Sequence, residues 1–326
     1  MAEKQVIITD YTYEDVELER AILQEAGFGL NDYKLQTPQE LIPAVRQADA
    51  LIVQYANINS EVINSLEHCQ LIVRYGAGID NIDLQAATAK GIFVCNVPDY
   101  SVDEVSNHTI MMIMAFARRL PATSKYMSSG GWWDPAIGQI TRLAGSTIGL
   151  IGFGRVAQMV ARKLAAFNVN ILAYHPRRDA AFIEARGAQK ASLEEIAKHS
   201  DYISLHSRLD EESHYLVNAE FIRNMKPSSY LINTARGALI DETALIEALR
   251  SGQIAGAGLD VFETEPLPKQ HPLLKLDNVI LTPHCAWYSQ EANIDLRRKA
   301  AQEVVRVLSG NMPANLCNKD ALSNRS

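Results

Sequence analysis

Short runs of apolar, often β-branched residues recur along this chain, each separated from the next by a longer amphipathic stretch. Gln5–Thr9, Ala50–Gln54, Leu71–Arg74 and Ile92–Cys95 are the first four, with helix-like stretches such as Tyr13–Ala26 and Gln39–Ala48 among them. A strand whose successive residues are all apolar needs cover on both faces, and a parallel sheet flanked by helices supplies it. Six more runs follow: Thr147–Ile151, Val169–Tyr174, Tyr202–His206, Tyr230–Asn233, Gly256–Asp260 and Val279–Thr282. The pattern predicts an α/β chain with two doubly wound parallel sheets. A length of 326 residues agrees with two domains at about 150 residues each.

Between the two sets lies Glu104–Leu120, read as one long, mostly buried helix whose Met111, Met112 and Met114 pack the core. Beyond Tyr288, Glu291–Leu308 has apolar residues at helical spacing and a stop signal at Gly310. This last helix is expected to return to the first unit. The expected domains are thus residues 1–98 with 289–326, and residues 99–288, with a cleft between them.

Composition removes several classes of function. A net charge of -7 leaves no basic excess for nucleic acid. Hydrophobic residues at 47% argue against disorder. The most apolar run, Ile110–Ala117, stops at Arg118 and Arg119, far short of the roughly 20 residues of a membrane span. The N-terminus lacks the basic and apolar regions of a signal peptide. Cys69, Cys95, Cys285 and Cys317 are scattered, with no metal-ligand spacing, so no metal and a cytoplasmic location are expected.

The run Thr147–Ile151 leads into Gly152-Phe-Gly154-Arg155-Val156-Ala157, a GxGxxA form of the dinucleotide fingerprint. Gly152 permits the tight turn, Gly154 lets the backbone approach a pyrophosphate, and Ala157 is small enough for helix against strand. The helix that follows offers its N-terminal amides and dipole to phosphate. After the next strand an NAD site usually places a carboxylate on the ribose hydroxyls. This chain has His175-Pro-Arg177-Arg178 instead, which offers donors to a 2′-phosphate. The cofactor is therefore read as NAD(P), with NADP favoured.

Three further segments end predicted strands, at the edge where open parallel sheets bind ligands. They are Asn233-Thr-Ala-Arg236-Gly, Gly258-Leu-Asp260-Val-Phe-Glu-Thr-Glu265-Pro, and Thr282-Pro-His284-Cys-Ala286-Trp287-Tyr288. With Arg74-Tyr-Gly-Ala77-Gly78-Ile-Asp-Asn, Asn96-Val-Pro98, Glu104, Gly131-Trp132, His271-Pro-Leu273 and Asn278, they make the chain resemble the D-isomer-specific 2-hydroxyacid dehydrogenase family over nearly its whole length. The Thr282–Ser289 segment is most similar to the branch of the C-terminal-binding-protein corepressors.

The resemblance implies a flavodoxin-like substrate domain and a Rossmann cofactor domain. It implies that Arg236 pairs with a substrate carboxylate and that His284 exchanges a proton with the substrate oxygen. Glu265 would orient the imidazole and raise its pKa. Cofactor contacts are implied for Gly152, Gly154, Arg155, Val156, His175, Arg177, Arg178, His206, Ser207, Thr234, Ala235, Asp260 and Ala286. Substrate contacts are implied for Ala77, Gly78, Arg236 and Trp287. The remaining histidines, His108 among them, are read as structural or solvated.

The chain departs from the family pattern at His175, where an acid is usual, and at His206-Ser207-Arg208, where Arg208 replaces a proline. The implied reaction moves a hydride between nicotinamide and a small 2-keto acid. Trp287 and Tyr288 either wall the pocket, favouring an apolar or thioether side chain, or only pack the domain junction. Alternatives are a hydroxypyruvate, glyoxylate or phosphoglycerate dehydrogenase, a formate-like or phosphite-like enzyme, and a cofactor-sensing binding protein of the corepressor type. No extra regulatory domain is expected beyond Ser326, which weighs against phosphoglycerate, although short forms of that enzyme exist. The stretch Tyr126–Arg142, with Trp132 and Trp133, corresponds to a region that helps form a twofold dimer in the family, so a homodimer is expected.

Overall fold

A computed structural model describes residues 3–325. They form two compact units, one made of the chain up to Tyr100 together with the stretch from Ser289 onward, the other of Ser101–Tyr288.

The first unit runs β1 (Gln5–Ile8), α1 (Glu17–Glu25), β2 (Gly29–Asp32), α2 (Pro38–Val45), β3 (Ala50–Val53), α3 (Ser60–Ser65), β4 (Leu71–Arg74), α4 (Leu84–Ala89) and β5 (Phe93–Cys95). Side chains set the helix starts. Thr37 and Glu40 make a capping box on either side of Pro38, and Asn59 and Asp83 accept the free amides of Val62 in α3 and Ala86 in α4. The sheet is wholly parallel in the order β2-β1-β3-β4-β5, the flavodoxin-like winding. β3 is buried at every residue, as its unbroken apolar run predicts.

The second unit opens with α5 (Val102–Ala117) and α6 (Leu120–Ser128), then alternates β6 (Thr147–Ile151), α7 (Arg155–Leu164), β7 (Asn170–Tyr174), α8 (Ala180–Glu184), β8 (Gln189–Lys190), α9 (Leu193–His199), β9 (Tyr202–Leu205), α10 (Ala219–Arg223), β10 (Tyr230–Asn233), α11 (Glu242–Ser251), β11 (Gly256–Leu259) and β12 (Val279–Leu281). Its seven strands lie parallel in the order β12-β11-β10-β9-β6-β7-β8. Both faces are covered. Ile148, Leu150 and Ile232 join Met112, Phe116, Val160 and Leu164 on one side, while Ile151, Leu205 and Leu231 join Ile196, Phe221 and Leu245 on the other.

The final helix, α12 (Gln290–Leu308), is capped by Ser289 and belongs to the first unit, where it packs on α1. A buried ion pair fixes it there. Arg297 donates to both oxygens of the fully buried Glu19, at 2.8 and 2.7 Å, and Tyr75 donates to the same carboxylate at 2.7 Å. Three donors offset the desolvation that an isolated buried carboxylate would suffer.

Three local features differ from the sequence reading. β2 and β8 were not expected. β2 is a partly exposed edge strand with one strongly apolar residue, Leu30, and β8 is an exposed two-residue edge. The helix expected over Glu104–Leu120 ends at Ala117. Arg119 turns left-handed (φ 48°), and Pro121, which fits only a helix's first turn, starts α6. Of the three methionines, Met112 is fully buried in the core, whereas Met111 is exposed.

Candidate active site

The strand order of the second sheet reverses direction between β6 and β9, so the loops leaving these strands diverge and open a crevice. Gly152, at φ 89°, turns the chain out of β6. A Cβ at this position would lie 2.6 Å from the backbone of His206 and of Ser207, which leave β9, so only glycine fits. Gly154 faces open space at the N-cap of α7, and Ala157 is fully buried under the same turn. Arg155 and Val156 begin the helix. These features fit a dinucleotide diphosphate, with backbone amides and a helix dipole in reach and no side chain in the way. The imidazole of His206 is kept neutral, since burial pushes its pKa down to about 4.

Past β7, the exposed Arg177 and Arg178 flank the partly buried His175. Burial, then the charges of Arg178 and Arg177, lower the pKa of His175. Asp179 is the next carboxylate along the chain, and it accepts the Phe182 amide at 2.8 Å as the cap of α8. The acid next to the turn is thus used by the backbone.

Arg236, Glu265 and His284 come together at the carboxyl ends of β10, β11 and β12. Gly237 makes the approach possible, because a Cβ there would sit 1.9 Å from the Phe262 carbonyl carbon. The Arg236 turn therefore packs directly on the backbone that leads to Glu265. Asn233 holds that turn from inside, its side chain donating to the Arg236 carbonyl (2.8 Å) and accepting from the Ala235 amide (3.0 Å). Thr234 meets Thr109 of α5 at 3.0 Å between hydroxyls.

The Nδ1 of His284 lies 2.6 Å from Oε2 of Glu265, and Oε1 of Glu265 accepts the Phe262 amide at 2.9 Å. Desolvation opposes ionisation of Glu265. The hydrogen bond and charge of His284, the Phe262 amide and the charge of Arg236 outweigh it, holding the carboxyl below its ordinary value. A carboxylate facing Nδ1 fixes the proton on that nitrogen and leaves Nε2 for chemistry.

His284 itself is strained, with φ at 52°. The strain is held by Asp260, which is only 1% exposed. The Asp260 carbonyl accepts the His284 amide (2.8 Å). Its carboxylate accepts the Thr282 hydroxyl (2.5 Å), the Cys285 amide (3.0 Å) and the Ala286 amide (2.9 Å). Asp260 was expected at the cofactor. Its side chain organises the 282–286 turn, because a buried carboxylate needs several donors and the turn supplies them. The same satisfied bond occupies the amide of Ala286. Trp287 packs edge-on against Tyr288.

Ser207 makes a long bond, 3.3 Å, to the Ile151 carbonyl. Ala77 and Gly78 belong to the first unit, in the turn after β4, where Gly76 adopts φ 139° and Asn96 donates to the Ala77 carbonyl at 2.6 Å. His271 pairs with Glu242 at 3.0 Å. The sequence reading missed His108, whose Nε2 meets the Thr282 hydroxyl at 3.0 Å. No motif marks it, and only the packing of α5 shows its partner.

This fold and this crevice are those of a dinucleotide-dependent oxidoreductase. Residues 110–286, more than half of the chain, match the model for "D-isomer specific 2-hydroxyacid dehydrogenase, NAD binding domain". A glyoxylate reductase of Thermofilum pendens is 40% identical over 292 residues, covering 88% of this chain and 86% of that protein. A D-3-phosphoglycerate dehydrogenase of Methanocaldococcus jannaschii is 38% identical over 321 residues, 96% of this chain and 59% of its own length. Among solved structures, D-lactate dehydrogenase from Aquifex aeolicus, complexed with NAD and lactic acid, superposes with a TM-score of 0.88 at 31% identity, covering 96% of this chain and 99% of that one. The chain belongs to the D-isomer specific 2-hydroxyacid dehydrogenase family. It is a nicotinamide-dependent oxidoreductase acting on the CH–OH group of 2-hydroxy acids, in the direction of reduction on 2-keto acids. No described helix is long and apolar enough to cross a membrane.

The lowered pKa of Glu265 has a signed consequence. A depressed carboxyl contributes stability that is complete above its ordinary value of 4.5 and is lost as the pH falls through the native value. Comparing urea midpoints of the protein and Glu265→Gln across acidic pH should show their difference shrinking as the pH falls below about 4.5. A difference that grows on acidification would refute the assignment.

Proposed function

We propose that the chain reduces a small 2-keto acid to the D-2-hydroxy acid, with Arg236, Glu265 and His284 as its catalytic group. The observation that carries this reading is the 2.6 Å bond from His284 to Glu265, on a carboxylate that also feels the charge of Arg236. The guanidinium of Arg236 grips the substrate carboxylate and turns the keto oxygen toward His284. Held through Nδ1, His284 gives the Nε2 proton to that oxygen during reduction and takes it back during oxidation. Glu265 stabilises the protonated imidazole before the transfer. The bound dinucleotide supplies the hydride that reaches the carbonyl carbon. Gly152, Gly154, Arg155 and Val156 hold its diphosphate, with His206, Ser207, Thr234 and Ala235 along the crevice. Ala77, Gly78 and Trp287 stay assigned to the substrate by resemblance.

Glyoxylate and hydroxypyruvate are the first substrates to expect, given the likeness to a protein named glyoxylate reductase. A panel of 2-keto acids, followed by the near-ultraviolet absorbance of the reduced nicotinamide, tests the reading. His284→Gln should lose roughly 100-fold or more in kcat while cofactor affinity is kept. Full activity in that variant, or no turnover of any 2-keto acid by the natural protein, overturns it.

The preferred cofactor in this proposal is NADP. Support comes from His175 standing where a ribose-binding acid would stand, with Arg177 and Arg178 just beyond it, and from Asp179 being used as a helix cap. The guanidinium of Arg178 also lies 4.4 Å from the Phe182 ring centre, which stiffens it beside the turn. Arg178→Ala should cut the NADPH-over-NADH ratio of kcat/KM by roughly tenfold, the worth of one charge-assisted contact. A ratio already in favour of NADH in the natural protein rules the preference out.

A homodimer completes the proposal. Trp132 and Trp133 are 78% and 74% exposed, a large apolar area for a chain to leave in water. Trp133→Ala should raise the dimer dissociation constant in sedimentation by at least about tenfold. An unchanged constant excludes Trp133 from the interface.

A further inference from the structure

Two adjacent residues of α5 each reach a different loop of the catalytic group. His108 Nε2 meets Thr282 Oγ1 at 3.0 Å, and Thr109 Oγ1 meets Thr234 Oγ1 at 3.0 Å. Thr282 opens the turn that carries His284, and Thr234 opens the turn that carries Arg236. Neither His108 nor Thr109 belongs to the catalytic group, and a helix interior has no local need for these contacts.

The proton count gives the first contact a direction. Thr282 has one hydroxyl proton and gives it to Asp260 Oδ1 at 2.5 Å. The Thr282 oxygen must then accept from His108, so the imidazole carries a proton on Nε2. The chain of contacts runs from His108 through Thr282 to Asp260, and from Asp260 to the amides of Cys285 and Ala286. Those two amides follow His284 and hold its left-handed backbone. Side-chain exposure at His108 is 16%, so water competes weakly for the bond.

The second contact is directed in the same way. Thr109 donates to the Val105 carbonyl of its own helix at 2.9 Å, so Thr234 supplies the proton between the two hydroxyls. Thr234 is thereby tied to α5, immediately ahead of the Ala235 and Arg236 backbone that Asn233 clasps.

We propose that His108 and Thr109 are paired positioning residues, His108 for the His284 turn and Thr109 for the Arg236 turn, so that α5 sets the proton donor and the carboxylate anchor from one rigid element. The proposal rests on the catalytic roles given to His284 and Arg236 above, but its geometry is testable without turnover. Backbone amide exchange, followed by mass spectrometry, reads the two turns separately. His108→Leu should speed exchange over residues 282–288 by about fivefold or more and leave 233–240 as in the natural protein. His108→Gln, which keeps a donor, should restore natural exchange. The near-isosteric Thr109→Val should do the reverse, loosening 233–240 alone.

The kinetic split follows. His108→Leu should lower kcat by about tenfold, and Thr109→Val should raise the 2-keto acid KM by about fivefold. Exchange that rises equally in both turns, rises throughout the unit, or stays unchanged overturns the proposal. So does failure of His108→Gln to restore it. The expected exchange pattern in a protein without turnover would uphold the positioning and refute the catalytic reading instead.

Discussion

A parallel strand buried on both faces cannot return through a tight hairpin; it must cross over through a helix, and every strand then ends at the same edge. That constraint governs the second unit. β6, β7, β9, β10, β11 and β12 all deliver their following loops to one side, so Gly152, His206, Arg236, Glu265 and His284 meet there although they span more than a hundred residues of sequence. The crevice itself arises where the winding reverses between β6 and β9. Glycine at position 152 is required for the same reason, because the two loops leave their strands almost in contact.

Within that edge, the arrangement of Arg236, Glu265 and His284 depends on the buried carboxylate of Asp260 behind it. Asp260 draws the Thr282 hydroxyl and two amides inward because a desolvated carboxylate without donors is very costly. The turn wrapped around it forces His284 into a left-handed backbone and presents the imidazole to Glu265. Glu265 is in turn approached by the Arg236 loop only because Gly237 has no side chain. Strain at His284, the pairing with Glu265 and the closeness of Arg236 are therefore linked, and each depends on the packing behind it.

Much of this was legible in the sequence. The strands with unbroken apolar runs were readable because burial on both faces leaves no other pattern. The GxGxxA turn and the Arg, Glu and His segments were readable because each follows such a strand. Edge strands β2 and β8 were not, since one face and one side of an edge strand meet water and its composition turns polar. The break at Arg119 was hidden for a different reason. The apolar spacing of α5 carries on past Ala117, and the left-handed residue that splits the helices is an arginine rather than a glycine.

The sequence by itself determined two parallel α/β units and a glycine turn after β6, since these follow from periodicity and short-range spacing, while Arg236, Glu265 and His284 were singled out by their place after strands and by the family resemblance. Tertiary structure alone decided what Asp260, Asp179, His108 and Gly237 do. A carboxylate in a sequence can serve a ligand, a helix end or a buried turn, and only its neighbours in space choose among them. Asp260 proved to hold the His284 turn, accepting amides 25 and 26 residues away that no local spacing reveals, while Asp179 caps α8 through the amide of Phe182.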